Sequence, residues 1–332
     1  MKSPEVRALE KDEYSAWDAL AARSPQGTIY QSVDWLTFCS RELGLDLSLF
    51  GAYREKELRA GIPLFIHRKS GLVGIGDSVC YLTPYTGLLL DPGPSRGGRG
   101  ETAMAGYRGI VDAFCGALEG APLGSVTVTN SPAIQDIRPF LWRGWREAVR
   151  YTHIFDLAGD IDRALDRRVR SVLSHSTARE ITVGESADTD TFSRLSSATF
   201  GRKGIRVPVP ERAWREMVAL LKRRGSGTMF EARLPGGEVS NMSIVLWDSR
   251  RAYILAAASD PDFLGMNGMT VLDYHVLAEM KKRGFPEIDL MMANLPELAS
   301  YAGKFNPRLV PFYTVSWEGT VVRLARALGS GR

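Results

Sequence analysis

At 332 residues the chain is long for one domain and comfortable for two. Its 44% hydrophobic and 24% charged residues are ordinary for a globular protein with a substantial core, and they exclude a disordered or fibrous chain. A net charge of +4, from 42 Lys and Arg against 38 Asp and Glu, is compatible with an anionic ligand but is no nucleic-acid signature by itself.

The N-terminus, MKSPEVRALEKDEY, lacks the apolar segment of a signal peptide. No apolar run reaches the roughly 18 residues of a membrane span, so a cytoplasmic protein is expected. Glu10 to Leu20 reads as a helix with Tyr14 and Trp17 at helical spacing, and Val33 to Leu43 as a second. LDLSLFGAYRE and LRAGIPLFIHR read as two strands around a charged turn. VCYLTPYTGLLLDP is strand-like with a Pro-Tyr-Thr-Gly break, and GPSRGGRG is a loop by composition. Thr102 to Leu118 is a helix and LGSVTVTN a strand.

A boundary is expected near Arg150, within PFLWRGWREAVRYTHIFDL. Asp160 to Arg179 then reads as one strongly basic helix, followed by helices over Asp190 to Phe200 and Glu211 to Arg224. Three strands joined by Gly-Gly and Asp-Ser turns span GTMFEARLPGGEVSNMSIVLWDSRRAYILAAASD. Met269 to Arg283 is a helix ending at Gly284, where a helix C-terminus favours glycine. PEIDLM and LVPFYTVSW are strands, and TVVRLARALGSGR reads as a final short helix. The expected class is α/β (α+β): domains over residues 1–150 and 151–317, each a mixed or antiparallel sheet flanked by helices, with a tail over 318–332 packing back on the first.

The three cysteines, Cys39, Cys80 and Cys115, form no CxxC pair, and their odd number argues against a disulfide framework. His153, His175 and His275 lie on separate elements without a visible partner and are assigned no chemistry; no metal-ligand spacing exists.

Three strands, then a helix, then a strand is the order of the GNAT acyltransferase fold. The resemblance implies that YILAAAS splays away from EIDLM to admit an acyl donor. The loop DPDFLGMNGM, with Gly265 and Gly268, would then present helix N-terminal amides to donor phosphates. It lacks the usual RxxGxG pattern, and a plain strand-to-helix connection is the alternative. Four further segments resemble Fem-like proteins, double-GNAT enzymes that include aminoacyl-tRNA-dependent peptidyltransferases acting on cell-wall precursors. IYQSVDWL is similar to their "f-Q-S-x-x-W-l". IFDLAGDIDRALDRRVRSVLSHSTAREITV is similar to their second-domain opening. SSATFGRKGIRVPVP resembles "T-x-x-R-x-G-x-x-x-P", and GMTVLDYHVLAEMKKRGFPEIDLMMANLPELASYAGKFNPRLVPFY resembles the closing helix, strand and "F-K-x-x-F-G" turn.

By that resemblance Lys304 lies on a loop closing the acyl-transfer cleft, where an ammonium stabilises an oxyanion or holds a donor phosphate; a solvated surface lysine is the alternative. Tyr301 and Phe305 take the motif's aromatic positions as donor contacts, while Ala302 stands at the motif lysine. Arg163, Arg167 and Arg170 are spaced to share one helix face, with Arg168 beside them. Arg suits phosphate by its planar fork, although Asp160, Asp162 and Asp166 are interleaved and local pairing competes. Arg202 and Lys203, beside Gly204, form a second anion-binding candidate. Tyr253 and Asp289 are cleft candidates by position, Asp289 as an orienting group or base or else as a structural strand-end carboxylate. Tyr85 is a candidate to stack on substrate, against a core role. Leu36 to Ser40 lacks the lysine that members acting on cell-wall nucleotides often carry there, which leaves the acceptor open.

The function implied is transfer of an acyl or aminoacyl group from an acyl-CoA or aminoacyl-tRNA to an amine acceptor that can carry phosphate groups. The amine attacks directly, with no covalent enzyme intermediate, no tightly bound cofactor and no metal. The alternatives are an acetyl-CoA-dependent N-acetyltransferase of small amines, a GNAT-fold binding protein without catalysis, and tRNA binding through the basic helix.

Overall fold

Glu55 and Lys56 both have left-handed backbones, φ 51° and 67°. Two consecutive residues of that hand match the twist of a tight hairpin, and they join β2 (Asp46–Arg54) to β3 (Glu57–His67). The computed structural model describes residues 3–68, 74–92, 101–202, 204–205, 207–291, 293–320 and 322–323. The loop expected at 93–100, Lys203 and most of the tail expected to be helical lie outside the described residues. The chain divides into two compact units, residues 1–150 with 311–332, and residues 151–310. It thus rejoins the first unit at Pro311 rather than at Glu318.

The first unit also holds β1 (Glu5–Ala8), α1 (Tyr14–Arg23), α2 (Val33–Leu43), β4 (Gly74–Asp77), β5 (Leu89–Leu90), α3 (Glu101–Gly120), β6 (Leu123–Thr129) and α4 (Arg138–Trp142). Ser32 caps α2 by accepting from Trp35 N, and Gly44 at φ 65° ends it, the cap residues that such positions favour. The strand-like reading of residues 79–92 is corrected: only Leu89 and Leu90 form a strand there. The rest is irregular backbone held by side chains. Gln31 Nε2 donates to Thr86 O and Gly87 O at 3.1 and 3.3 Å, and Trp35 Nε1 to Thr83 Oγ1 at 3.0 Å. The Q-S-x-x-W segment therefore works as a clamp on this loop. Gly87 is obligatory, with φ 70° and no room for a Cβ, which would fall 2.5 Å from Asn130 Cα.

The sheet of this unit runs β1-β2-β3-β4-β6, followed by the last strand, β13 (Arg308–Glu318), with β5 beside β3. Only β4 and β6 are parallel. Val111, Phe114, Cys115 and Leu118 recur at helical spacing on α3 and bury against Ile62, Leu64, Val126 and Val315, the one-sided burial of an amphipathic helix.

The second unit contains β7 (Arg146–Asp156), α5 (Ile161–Ala164), α6 (Arg167–Ser174), α7 (Ser176–Arg179), β8 (Thr182–Ser186), α8 (Thr189–Gly201) and α9 (Glu211–Arg224). After them come β9 (Gly227–Arg233), β10 (Val239–Trp247), β11 (Ala252–Ser259), α10 (Gly268–Lys282), β12 (Glu287–Asp289) and α11 (Pro296–Gly303). Its sheet order is β7-β12-β11-β10-β9-β8, antiparallel except for β11 and β12. Leu272, Val276, Leu277 and Met280 of α10 bury against Phe230, Val245, Ile254 and Ile288. Each such side chain contributes about 1.5–3 kcal/mol by leaving water.

The single basic helix expected over 160–179 is three short ones. Asp160 and Asp166 each turn a side-chain oxygen back to an amide, of Arg163 and Arg168 respectively. An Asp in that role starts a new helix instead of continuing the old one. Among the described residues no helix is long and apolar enough to cross a membrane.

Candidate active site at the first turn of α10

β11 and β12 part company after two residue pairs, Ala252 with Ile288 and Tyr253 with Asp289. The cause lies in the different partners their onward chains take. β11 stays registered on β10 up to Ser259. The chain after β12 instead runs beside β7: Leu290 N donates to His153 O at 2.8 Å, and Asn294 exchanges two bonds with the Tyr151 backbone at 2.9 and 2.7 Å. Among the described residues the far half of β11 therefore has no strand partner on that side, and Ala257 is exposed within the sheet.

From the open end of β11 the chain enters α10 through a short 3₁₀ segment, Pro261–Met266. Asn267 stands just before the helix with φ 62° and makes no side-chain cap. Gly268 is buried, and a Cβ there would come within 2.2 Å of Asn241 Oδ1 and 2.5 Å of Ser240 Oγ. Among the described residues nothing accepts from the Gly268 and Met269 amides, while Thr270 N and Val271 N bond Asn267 O. The N-terminus of a 15-residue helix with free amides carries partial positive charge and suits an anion.

Tyr301 of α11 reaches this same turn. Its hydroxyl donates to Asp273 Oδ2 at 2.7 Å. Burial, with the Asp273 carboxylate second, holds the phenol well above its ordinary pKa. Asp273 is itself buried, its Oδ1 has no hydrogen-bond partner among the described residues, and burial pushes its pKa up to about 7 against the pull of the Tyr301 bond. Lys304 Nζ stands 5.5 Å from the Tyr301 ring centroid, a cation–π distance. Phe305, fully buried, meets the same ring edge-to-face at 5.8 Å.

The structure brings together Gly268, Tyr301, Lys304 and Phe305, and adds Asp273, which sequence reading missed. Asp273 did leave a signal, since a carboxylate sits on the apolar face between Leu272 and Val276. Lys304 caps the C-terminus of α11 instead of sitting on an open turn. Arg167 and Arg170 are exposed on α6, and Arg163 is on a separate helix beside Asp160 at 3.5 Å. The one-face cluster therefore does not form. The α5–α6 corner nevertheless adjoins the site: Asp166 N donates to Lys304 O at 3.2 Å and Asn306 Nδ2 to Ala164 O at 3.3 Å.

Other candidates fall elsewhere. Tyr253 is 1% exposed and donates to Asp248 Oδ2 at 2.6 Å, across its own hairpin; it is a core residue. Asp289 is fully buried, and its Oδ1 accepts from Thr152 Oγ1 and from Met291 N. That is the bonding of a carboxylate bracing a strand end. Tyr85 is fully buried in the first unit, edge-on to Tyr30 and Phe312. Arg202 caps the end of α8, exposed, and Gly265 is exposed in the 3₁₀ segment. A cleft of about 700 Å³ opens between α8 and α9, walled by Ser193, Ser197, Val209, Glu211 and Trp214. Thr199 of α8 ties it to β11 by accepting from Ser259 N at 3.2 Å. Among the described residues no cluster of His, Cys, Asp or Glu is placed to hold a metal ion.

Residues 161–297 match the family model described as an acetyltransferase (GNAT) domain. No curated protein sequence matches the chain. Among solved structures, FemX aligns at TM-score 0.68 and 11% identity, over 93% of this chain and 96% of that one. The C-terminal domain of a putative lysylphosphatidylglycerol synthetase from Agrobacterium fabrum aligns at 0.59 and 14%, over 95% of each. A tandem GNAT protein from the clavulanic acid biosynthesis pathway aligns at 0.54 and 14%, over 95% and 98%. Residues 161–297 thus match a GNAT domain, and the chain as a whole takes the fold seen in FemX and in the tandem GNAT protein.

Proposed function

We propose that the second unit is an acyltransferase that takes an acyl or aminoacyl group from a phosphate-bearing donor and passes it to an amine. The observation that carries the reading is the convergence at one helix turn of free amides, a protonated phenol and a lysine, beside the gap between β11 and β12. The fold shared with FemX and the match to an acetyltransferase domain support it.

In this reading donor phosphate meets the amides of Gly268 and Met269, with Lys304 and Arg167 as outlying cations. The acyl arm lies along the unpaired edge of β11. The acceptor enters beside α8, where the cleft against α9 mixes serine hydroxyls, at Ser193 and Ser197, with Val209 and Trp214 and carries a carboxylate at Glu211. The amine attacks the thioester or ester carbonyl directly. A tetrahedral oxyanion forms and collapses, the nitrogen loses a proton, and the leaving sulfur or oxygen gains one. Tyr301 is suited to supply it, because its raised pKa keeps the phenol protonated at neutral pH, and Asp273 holds the hydroxyl in place. No covalent enzyme intermediate and no tightly bound cofactor are part of this reading; acyl-CoA or aminoacyl-tRNA is a co-substrate, and the location is cytoplasmic.

Thermal shift against acyl-CoAs and against charged and deacylated tRNA, at low and moderate salt, tests it, since a ligand of the native state raises Tm. Stabilisation by CoA esters alone makes the protein an acyl-CoA enzyme. Stabilisation by charged tRNA alone, falling steeply with salt, makes it an aminoacyltransferase. No response to either donor overturns the reading.

A further inference from the structure

Two of the three cysteines meet in the first unit, away from the site described above. Cys39 lies buried on α2, and Cys80, partly accessible, on the segment after β4. The two thiols meet on one hydroxyl: Cys80 Sγ donates to Thr83 Oγ1 at 3.3 Å, and Cys39 Sγ lies 3.7 Å from the same oxygen. Trp35 Nε1 donates into that same oxygen at 3.0 Å. An indole N–H can only donate, so it and the Cys80 thiol fill the lone pairs of Thr83 and leave the hydroxyl hydrogen for Cys39.

Cys80 lies below the ordinary thiol range, with the neighbouring Cys39 the largest influence, despite its burial and the opposing Asp77 carboxylate; a thiol lowered in this way is the readier nucleophile. Cys39 shows the complementary behaviour, pushed well up by burial. One thiol is reachable, and the other is sheltered and shares its hydroxyl contact. Cys115 supplies the contrast: it is fully buried on α3 and pushed up to about 12 by burial.

We propose that Cys80 and Cys39 form a peroxide-sensitive dithiol, with Cys80 as the attacking and Cys39 as the resolving thiol. The Cys80 thiolate attacks one oxygen of hydrogen peroxide, the O–O bond breaks, and sulfenic acid forms as hydroxide leaves. The hydroxide takes the Cys39 proton. The Cys39 thiolate then attacks the sulfenic sulfur and expels the second oxygen as hydroxide, which takes up the proton that Cys80 released on ionising and becomes water. Two thiols are oxidised to one disulfide and one peroxide is reduced to two waters. A thiol reductant reverses the step, as for redox-sensing pairs in reducing compartments. The bond would staple α2 to the segment that Gln31 and Trp35 already clamp.

The test uses the full-length folded protein. Iodoacetamide labelling followed by peptide mass spectrometry compares the alkylation rates of Cys80 and Cys115. Dilute peroxide is then added, and non-reducing digestion maps the products, with dithiothreitol as the reversal. Expected are alkylation of Cys80 at least tenfold faster than of Cys115, an intramolecular Cys39–Cys80 peptide lighter by two hydrogens, and its loss on reduction. In C39S, dimedone should trap a sulfenic acid at Cys80 that the wild type does not accumulate. Equal alkylation rates, free Cys39 and Cys80 after peroxide, or disulfides only between separate chains would each overturn the proposal. The labelling comparison needs no variant, so misfolding of C39S would not rescue the idea.

Discussion

Asp273 is a stability liability, and its sign can be worked out. Its pKa lies at about 7 in the folded protein against about 3.9 for an unperturbed Asp. Between those values the native state holds a proton that the unfolded chain has released, so stability falls as pH rises through the window. Full ionisation costs on the order of 4 kcal/mol by linkage. Asp273→Asn, a near isostere without charge, should melt close to wild type at about pH 4 and above it at pH 8. Equal melting curves for the two proteins at pH 8 would remove the buried-charge account. Tyr301→Phe keeps the ring packed on Phe305 and deletes the phenol. Turnover should drop by roughly 10²-fold or more while donor-induced stabilisation persists, and a variant with normal kcat would exclude Tyr301 as proton donor. Lys304→Gln should act differently, raising the donor KM several-fold and flattening its salt dependence with little change in kcat, as steady-state kinetics at two ionic strengths would show.

At the scale of elements, the entry to α10 is the part least tolerant of change. Gly268→Ala places a methyl against Asn241 and Ser240, and both side chains must shift. Such overpacking costs typically ~1–3 kcal/mol. It also displaces the amides offered to phosphate, so donor binding should fall by more than the Tm change alone implies; a thermal-shift titration separates the two. Elements of this kind were also the most legible from sequence. α2 runs from Val33 to Leu43 as its cap residues announce, and the β9–β10–β11 meander and α10 are readable from periodicity and turn glycines. Pattern reading lost the 160–179 segment because charge content outweighed two aspartates whose capping role only local backbone geometry reveals. It misjudged Tyr253 and Asp289 for another reason. Strand position places a residue near a gap, but which way the side chain bonds is decided by a neighbour far along the chain, such as Thr152 for Asp289. The Tyr301–Asp273 pair is separated by 28 positions and could not be paired without the fold.

For the whole molecule, the relevant fact is that the first unit is discontinuous while the second is one continuous stretch. In the first unit β13 pairs with β6 from Thr314 opposite Thr129 to Glu318 opposite Ser125, and Val315 is part of its core. A fragment of residues 151–310 should accordingly give a cooperative thermal melt by circular dichroism. A fragment of residues 1–150 should be poorly folded, and appending residues 311–332 through a flexible linker should restore it. A stable, cooperative 1–150 fragment would show that β13 is dispensable to that unit.

The same discontinuity sets an order of assembly during translation. The stretch of chain made first is the last to be completed, because the strand that closes its sheet emerges only after the whole second unit has left the ribosome. At about 5–20 residues per second, β6 waits on the order of ten to forty seconds between its own synthesis and that of its partner. For that interval its backbone donors and acceptors form an open edge of the kind that invites mispairing. Ser125, Thr127 and Thr129 alternate along that strand, so one of its faces stays polar while it waits. The nascent chain is therefore most exposed to aggregation, and to capture by chaperones, after its second unit has already become able to fold.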